Sequence, residues 1–211
     1  MSQQEASRAL FLVFEGGEGG GKSTQSRMTA EWLRAAGRTV VQTRQPGGTA
    51  VGARLREILL DPATGVLDPR TESLVYAADK AEHVATVIRP ALERGEVVVC
   101  DRYVDSTLAY QGAGRAIDAA ELAQVSAWAT GGLRPHLTVV LDIDPRVGLL
   151  RAGGTGHDRI EAEPLAFHQR VRRHFLDLAA ERPADYLVLD ADRDPQAIQA
   201  DIRAALLGVA T

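Results

Sequence analysis

The chain reads as an α/β protein built on a doubly wound, five-stranded parallel sheet flanked by helices. Three observations predict this architecture. Five short apolar segments, each followed by a polar residue, alternate with longer segments of helical spacing. The first of them is nearly continuous in its apolar character, as a strand covered on both faces requires. It then runs through a glycine-rich turn into a helical pattern, the order strand, loop, helix.

Taken in order, the first strand is expected over residues 9–15 and the helix after the glycine turn over 26–36. The second strand, 39–43, leads into Arg44-Gln45-Pro46-Gly47-Gly48-Thr49, where the glycines permit close backbone approach. Over 71–94 the residues Leu74, Ala77, Ala78, Ala81, Val84, Ala85 and Ile88 recur at helical spacing and predict a core face. Tyr76 and Lys80 are neighbours on the opposite face, and Pro90 should kink or end the ladder. A strand over 97–101, a helix over 118–130, a strand over 137–142 and a helix over 163–181 follow. The last pair is a strand over 186–190 and a helix over 194–207. Glycines cluster again at 153–156, between Arg151 and Arg159, and form a candidate lid over 151–159. No repeat, low-complexity tract or linker divides the chain. It reads as one domain over 9–211 behind a polar tail of residues 1–8.

Composition narrows the function classes. A net charge of −4 argues against a protein that coats nucleic acid, and no apolar run approaches the roughly 18 residues of a membrane helix. The first eight residues lack the apolar core of a signal peptide, so a cytoplasmic address is expected. The single cysteine, Cys100, lies in an apolar run and is expected to pack. The five histidines show no metal-ligand spacing; His168 and His174 read as solvent or packing residues.

The chemistry concentrates at strand ends. Gly16-Gly17-Glu18-Gly19-Gly20-Gly21-Lys22-Ser23-Thr24 has the glycine-x4-glycine-lysine-serine spacing of a phosphate-binding loop. Backbone N–H groups and a helix N-terminus would surround the phosphates, Lys22 would reach the β and γ oxygens, and Ser23 would ligate Mg²⁺. Asp101 closes a buried strand, where a carboxylate can hold the Mg²⁺ hydration shell, and Arg102 beside it can clamp a phosphate. A strand-end salt bridge is the plainer alternative. Arg44 would point into the site from the second strand, and Arg56 is either a second phosphate ligand or a solvated arginine. Because the phosphate loop carries no second cation, Arg151 and Arg159 are expected to neutralise the charge that grows on a transferred phosphoryl group.

Several blocks together resemble the bacterial thymidylate kinase family. They are Phe14 to Thr24, Arg44-Gln45-Pro46-Gly47-Gly48, Tyr76-Ala77-Ala78-Asp79-Lys80, Asp101-Arg102-Tyr103 through Gly112, and Asp158-Arg159-Ile160-Glu161. The resemblance spans about residues 10–208, and the block from Tyr103 to Gly112 is more specific than the phosphate loop. It implies a P-loop nucleotide kinase fold, transfer of the ATP γ-phosphoryl group to dTMP with Mg²⁺, and usually a homodimer. It places the dTMP phosphate near Arg44 and Arg102, with Ser106 and Thr107 in the same block. Thymine would stack on Tyr76, with Lys80 and Gln111 reading its edge. Tyr110 would crowd the sugar's 2′ position, Glu18 would lie near the sugar or the metal, and the turn carrying Arg193 would lie beside adenine. The family usually has arginine at Lys80, glutamate at Gln45 and often phenylalanine at Tyr76. Another nucleoside monophosphate or deoxynucleoside kinase, or a nucleotide-binding switch without turnover, remain the rival readings.

Overall fold

A computed structural model describes residues 9–153 and 158–209. The predicted tail and residues 154–157 of the predicted lid lie outside the described residues. Five parallel strands form one sheet: β1 (Leu10–Glu15), β2 (Val40–Arg44), β3 (Val97–Asp101), β4 (Leu137–Asp142) and β5 (Tyr186–Asp190), in the order β2-β3-β1-β4-β5. The order reverses at β1, so the loop after β1 opens into the crevice where such sheets bind ligands. Register aligns Phe14 with Asp101 and Arg44 with Asp101, which brings the polar strand ends to one edge.

Successive residues of β1 serve opposite faces. Leu12 and Phe14 pack with α1 (Lys22–Ala35) and α9 (Pro195–Val209) through Ala30, Leu33, Ile198 and Ile202, whereas Phe11 and Val13 pack with Val84, Ile88 and Tyr103. Cys100 is sealed in the second cluster, as expected, and its burial pushes the thiol pKa up. Three α-helices were not anticipated. α2 (Ala50–Leu60) starts at Thr49, whose hydroxyl accepts the Gly52 N–H at 2.8 Å. α3 (Pro69–His83) begins at the Asp68 cap and loosens into a π-helical stretch, Val84–Ile88, before α4 (Arg89–Glu93). The widening lies just ahead of Pro90, whose ring would otherwise meet a carbonyl of the preceding turn. Beyond β3, α5 (Val104–Thr107) passes into a second π-helical stretch, Leu108–Gly114, followed by α6 (Ala119–Thr130). α5 is the second unanticipated helix; the third, α7 (Pro145–Ala152), leads into the lid region, and α8 (Leu165–Glu181) returns from it.

The expected faces of α3 require correction. Ala77, Val84 and Ile88 are core, but Leu74 is 59% exposed and Ala78 and Ala85 are exposed as well. Lys80, expected on the open face, is 2% exposed, and Glu72, Asp79 and His83 are fully buried. The side of α3 that faces the molecule is therefore polar, and it borders a cavity. Among the described residues no helix is long and apolar enough to cross a membrane.

Candidate active site

A cavity of about 430 Å³ opens along the carboxyl ends of β1, β2 and β3. The phosphate loop forms one end. Gly16, Gly19 and Gly21 all have positive φ, and a Cβ at Gly19 would land on the Gly148 carbonyl, so a side chain is excluded there on both counts. α1 begins at Lys22, four residues earlier than its apolar spacing suggests, which points its free N–H groups at the cavity. Lys22 Nζ donates to the Gly17 carbonyl at 2.6 Å. Burial, then the Arg102 charge, lowers its pKa. Glu18, Gly19, Gly21, Lys22, Ser23 and Thr24 line the cavity, whereas Gly16, Gly17 and Gly20 do not.

Ser23 Oγ donates to Asp101 Oδ2 at 2.5 Å. A hydroxyl and a carboxylate side by side at a helix N-terminus are the hard oxygen donors that Mg²⁺ takes alongside phosphate oxygens. The described residues hold no cluster of three or more His, Cys, Asp or Glu suited to a metal. The donor set therefore fits a cation that depends on its substrate for most of its ligands.

Arg102 is the hub of the centre. Its φ of 68° is left-handed, a costly state for a side chain of this size. Its guanidinium donates to the Gly16 carbonyl at 3.0 Å, to Ser106 Oγ at 3.2 Å and to Glu18 Oε1 at 2.7 Å. It also lies 5.0 Å from the Tyr110 ring. Tyr110 donates its hydroxyl to the same Glu18 oxygen at 2.6 Å. Burial alone would raise the Glu18 pKa, but Arg102, Lys22 and the Tyr110 bond outweigh it and bring it to about 2. Behind this group Glu15 is fully buried. Its Oε1 accepts the N–H groups of Tyr103 (2.8 Å) and Ser106 (3.1 Å), and its Oε2 accepts the Ser106 hydroxyl at 2.5 Å. Burial, then the charge of Asp105, pushes Glu15 up to about 7 against the opposing pull of Arg102.

Arg44 and Arg56 line the adjacent wall, and Arg56 donates to the Pro46 carbonyl at 3.1 Å. Burial and then Arg44 lower the Arg56 pKa, the mark of two cations converging where an anion would relieve them. This favours the phosphate-ligand alternative for Arg56 over the solvated one. Further in stand Tyr76, Lys80, Thr107 and Gln111. Lys80 Nζ lies 5.4 Å from the Tyr76 ring centroid and donates to Thr107 Oγ1 at 2.6 Å; burial lowers its pKa to about 8. Gln111 Nε2 donates to Glu72 Oε1 at 2.8 Å.

The two lid arginines separate. Arg151 lines the cavity, with its guanidinium held by the Ala191 carbonyl at 3.0 Å and by the Asp192 carboxylate. Arg159, expected over the transferred group, instead donates to the Leu59 carbonyl at 2.9 Å and forms an ion pair with buried Glu72. The cavity reaches Asp158 and Glu161 on either side of Arg159 but not Arg159 itself. Arg193 is also outside the cavity and pairs with Asp201 at 2.8 Å. Sequence reasoning missed Glu72, Asp158 and the supporting pair His83 and Thr43, 2.7 Å apart. One signal was available for Glu72, since positions 72, 76 and 80 share a helix face.

The comparisons with known proteins agree with this geometry. A family profile described as thymidylate kinase matches residues 14–202. A thymidylate kinase of Leifsonia xyli subsp. xyli is 55% identical over 201 residues, covering 94% of this chain and 95% of the relative. One from Cutibacterium acnes is 51% identical over 200 residues, covering 95% of this chain and 97% of the relative. The crystal structure of thymidylate kinase from Ehrlichia chaffeensis superposes with a TM-score of 0.76 at 30% identity, over 94% of this chain and 99% of that one. With the profile spanning most of the chain and close relatives matching nearly end to end, this protein belongs to the thymidylate kinase family.

Proposed function

We infer that the chain transfers the γ-phosphoryl group of ATP to the 5′-phosphate of dTMP, giving dTDP and ADP. The observation that carries this reading is one cavity with two anion sites. The phosphate loop with Lys22 stands at one end, Arg44, Arg56 and Arg102 line the acceptor side, and Tyr76, Lys80 and Gln111 form a base-sized wall beyond them. Phosphoryl transfer needs little more than alignment and charge stabilisation, and the cavity supplies both.

In this mechanism the loop N–H groups and Lys22 fix the donor phosphates, while Arg44, Arg56 and Arg102 hold the acceptor phosphate in line. Ser23 and Asp101 are the residues that would hold Mg²⁺, which when bound supplies charge neutralisation on the donor phosphates. Arg151 exchanges Asp192 for the transferred group, and Arg159 secures the base of the lid through Glu72. Glu18 ties Arg102 to Tyr110 and so couples the acceptor phosphate to the sugar pocket. Lys80 donates to the base edge, as a single ammonium rather than the two-donor fork of an arginine. ATP dependence accords with a cytoplasmic enzyme. A homodimer is supported by the apolar stripe Leu74, Ala78 and Ala85 on α3, which the monomer leaves exposed beside Val51 and Ile58 of α2.

A coupled assay with Mg·ATP against dTMP, dUMP, UMP, CMP and AMP tests the reading. Turnover is expected to be highest with dTMP. Preference for another acceptor would replace the thymidylate reading, and no turnover with any of them would leave the nucleotide-binding switch.

A further inference from the structure

Glu72 receives three side chains from distant parts of the chain. Gln111 Nε2 and Arg115 Nε reach Oε1 at 2.8 and 3.2 Å, while Arg159 pairs with Oε2. The carboxylate is fully buried. Burial would raise its pKa, yet the bonds from Gln111, Arg115 and Arg159 outweigh that and keep it below the usual value. An ionised carboxylate has only acceptors to offer. The amide of Gln111 therefore has one permitted orientation, with its NH₂ group on Glu72.

That orientation decides what Gln111 shows to a ligand. Its Oε1 makes no hydrogen bond among the described residues, and the residue lines the cavity. On the same wall Lys80 Nζ is a donor. One donor beside one acceptor matches a 4-keto pyrimidine, whose O4 accepts and whose N3–H donates. Cytosine presents the reverse, an amino donor at position 4 and an acceptor at N3, and would leave buried groups of like polarity opposed.

We infer that Glu72 is a specificity-determining positioning residue, which locks the Gln111 amide with its oxygen toward the base and so excludes cytosine nucleotides. This rests on the dTMP reading above and adds to it a residue that never touches substrate. Glutamine at position 72 would offer both a donor and an acceptor, so Gln111 could turn over and pair with cytosine N3.

The test is kcat/KM for dTMP and dCMP, and KM for ATP, in wild type, Glu72→Gln and Glu72→Asp. The dTMP/dCMP ratio should fall about tenfold or more in Glu72→Gln while KM for ATP stays within about twofold, because a lost buried hydrogen bond is what separates the two bases. Glu72→Asp keeps the acceptor-only carboxylate and should keep the ratio even if rates drop. An unchanged ratio in Glu72→Gln, or equal losses with dTMP, dCMP and ATP, would overturn the inference and leave the function intact. A wild type that prefers dCMP would overturn both. Should Glu72→Gln fail to fold, exchange of the Gln111 side-chain amide protons in wild type decides, since protons held on a buried carboxylate are protected and rapid exchange would refute the lock.

Discussion

Replacing Glu15 by glutamine should make the protein more stable at neutral and higher pH and a poorer enzyme. Glu15 is sealed beneath the active site with its pKa pushed from 4.5 to about 7, by burial first and by Asp105 second. The folded state thus holds its proton more tightly than the unfolded chain. Its stabilising contribution is fully present below the unfolded pKa and is lost as pH rises through about 7. At 1.36 kcal/mol per pKa unit, the loss across that window is about 3 kcal/mol. Glutamine stays neutral, and its Oε1 can still accept the N–H groups of Tyr103 and Ser106. Urea-unfolding midpoints measured at about pH 5, 6, 7 and 8 should fall with pH in the wild type and stay nearer level in Glu15→Gln. For a chain of this length the gap above neutrality corresponds to roughly 6–12 °C in Tm before any loss of hydrogen bonding. Catalysis should move the other way. Glu15 accepts the Ser106 proton, which leaves a Ser106 lone pair for Arg102, whereas a glutamine NH₂ competes for that lone pair. KM for dTMP should therefore rise. Parallel stability curves for the two proteins between about pH 5 and 8 would refute the assignment of the buried proton to Glu15.

Lys22→Ala should lower kcat by about 10³-fold or more through lost charge stabilisation, and near-normal turnover in a steady-state assay would show that the loop does not hold the donor phosphates. Lys80→Ala should raise KM for dTMP about tenfold while leaving KM for ATP near wild type; equal effects would make its role structural. Because the Lys80 pKa lies at about 8, the wild-type KM for dTMP should climb as the ammonium is lost above that pH, and a Lys80→Arg profile should stay flat. Arg151→Ala should cut kcat by about 10²-fold or more, whereas Arg159→Ala should act mainly on Tm, by leaving buried Glu72 with Arg115 as its one remaining charged partner among the described residues. The reverse ranking would return the catalytic role to Arg159.

The strands were legible to within one residue because a parallel strand buried on both faces leaves little room for polar residues inside it. The strand predicted over 137–142 is Leu137–Asp142, and that predicted over 39–43 is displaced by one residue to Val40–Arg44. The faces of α3 were not legible. Helical spacing reveals that apolar residues share a side but not what covers that side, and the stripe of Leu74, Ala78 and Ala85 points outward. The buried side is written in Glu72, Asp79, Lys80 and His83, residue types that a hydrophobicity pattern assigns to solvent. Burying them is tolerable only with partners, and these lie far along the chain: Gln45 on His83, Thr107 on Lys80, Arg159 on Glu72.

The same limit separates the residues whose placement local spacing anticipates from those whose partners lie elsewhere in the chain. Lys22, Ser23, Arg44, Arg102 and Gln111 occur in short blocks whose local spacing places them, and all five line the cavity. Arg159 also sits in such a block, but its guanidinium is held by a carboxylate 87 residues away. A guanidinium within reach of a buried glutamate is drawn to it rather than left facing water, because an undercompensated buried charge costs several kcal/mol by general estimates. Among the described residues Arg151 is held only by the Ala191 carbonyl and the exposed Asp192, an ion pair of small net value in water, and both can be given up more cheaply than a buried ion pair. Strength of competing attachment, not position in the lid, is therefore the ground on which Arg151 rather than Arg159 is proposed to follow the phosphoryl group.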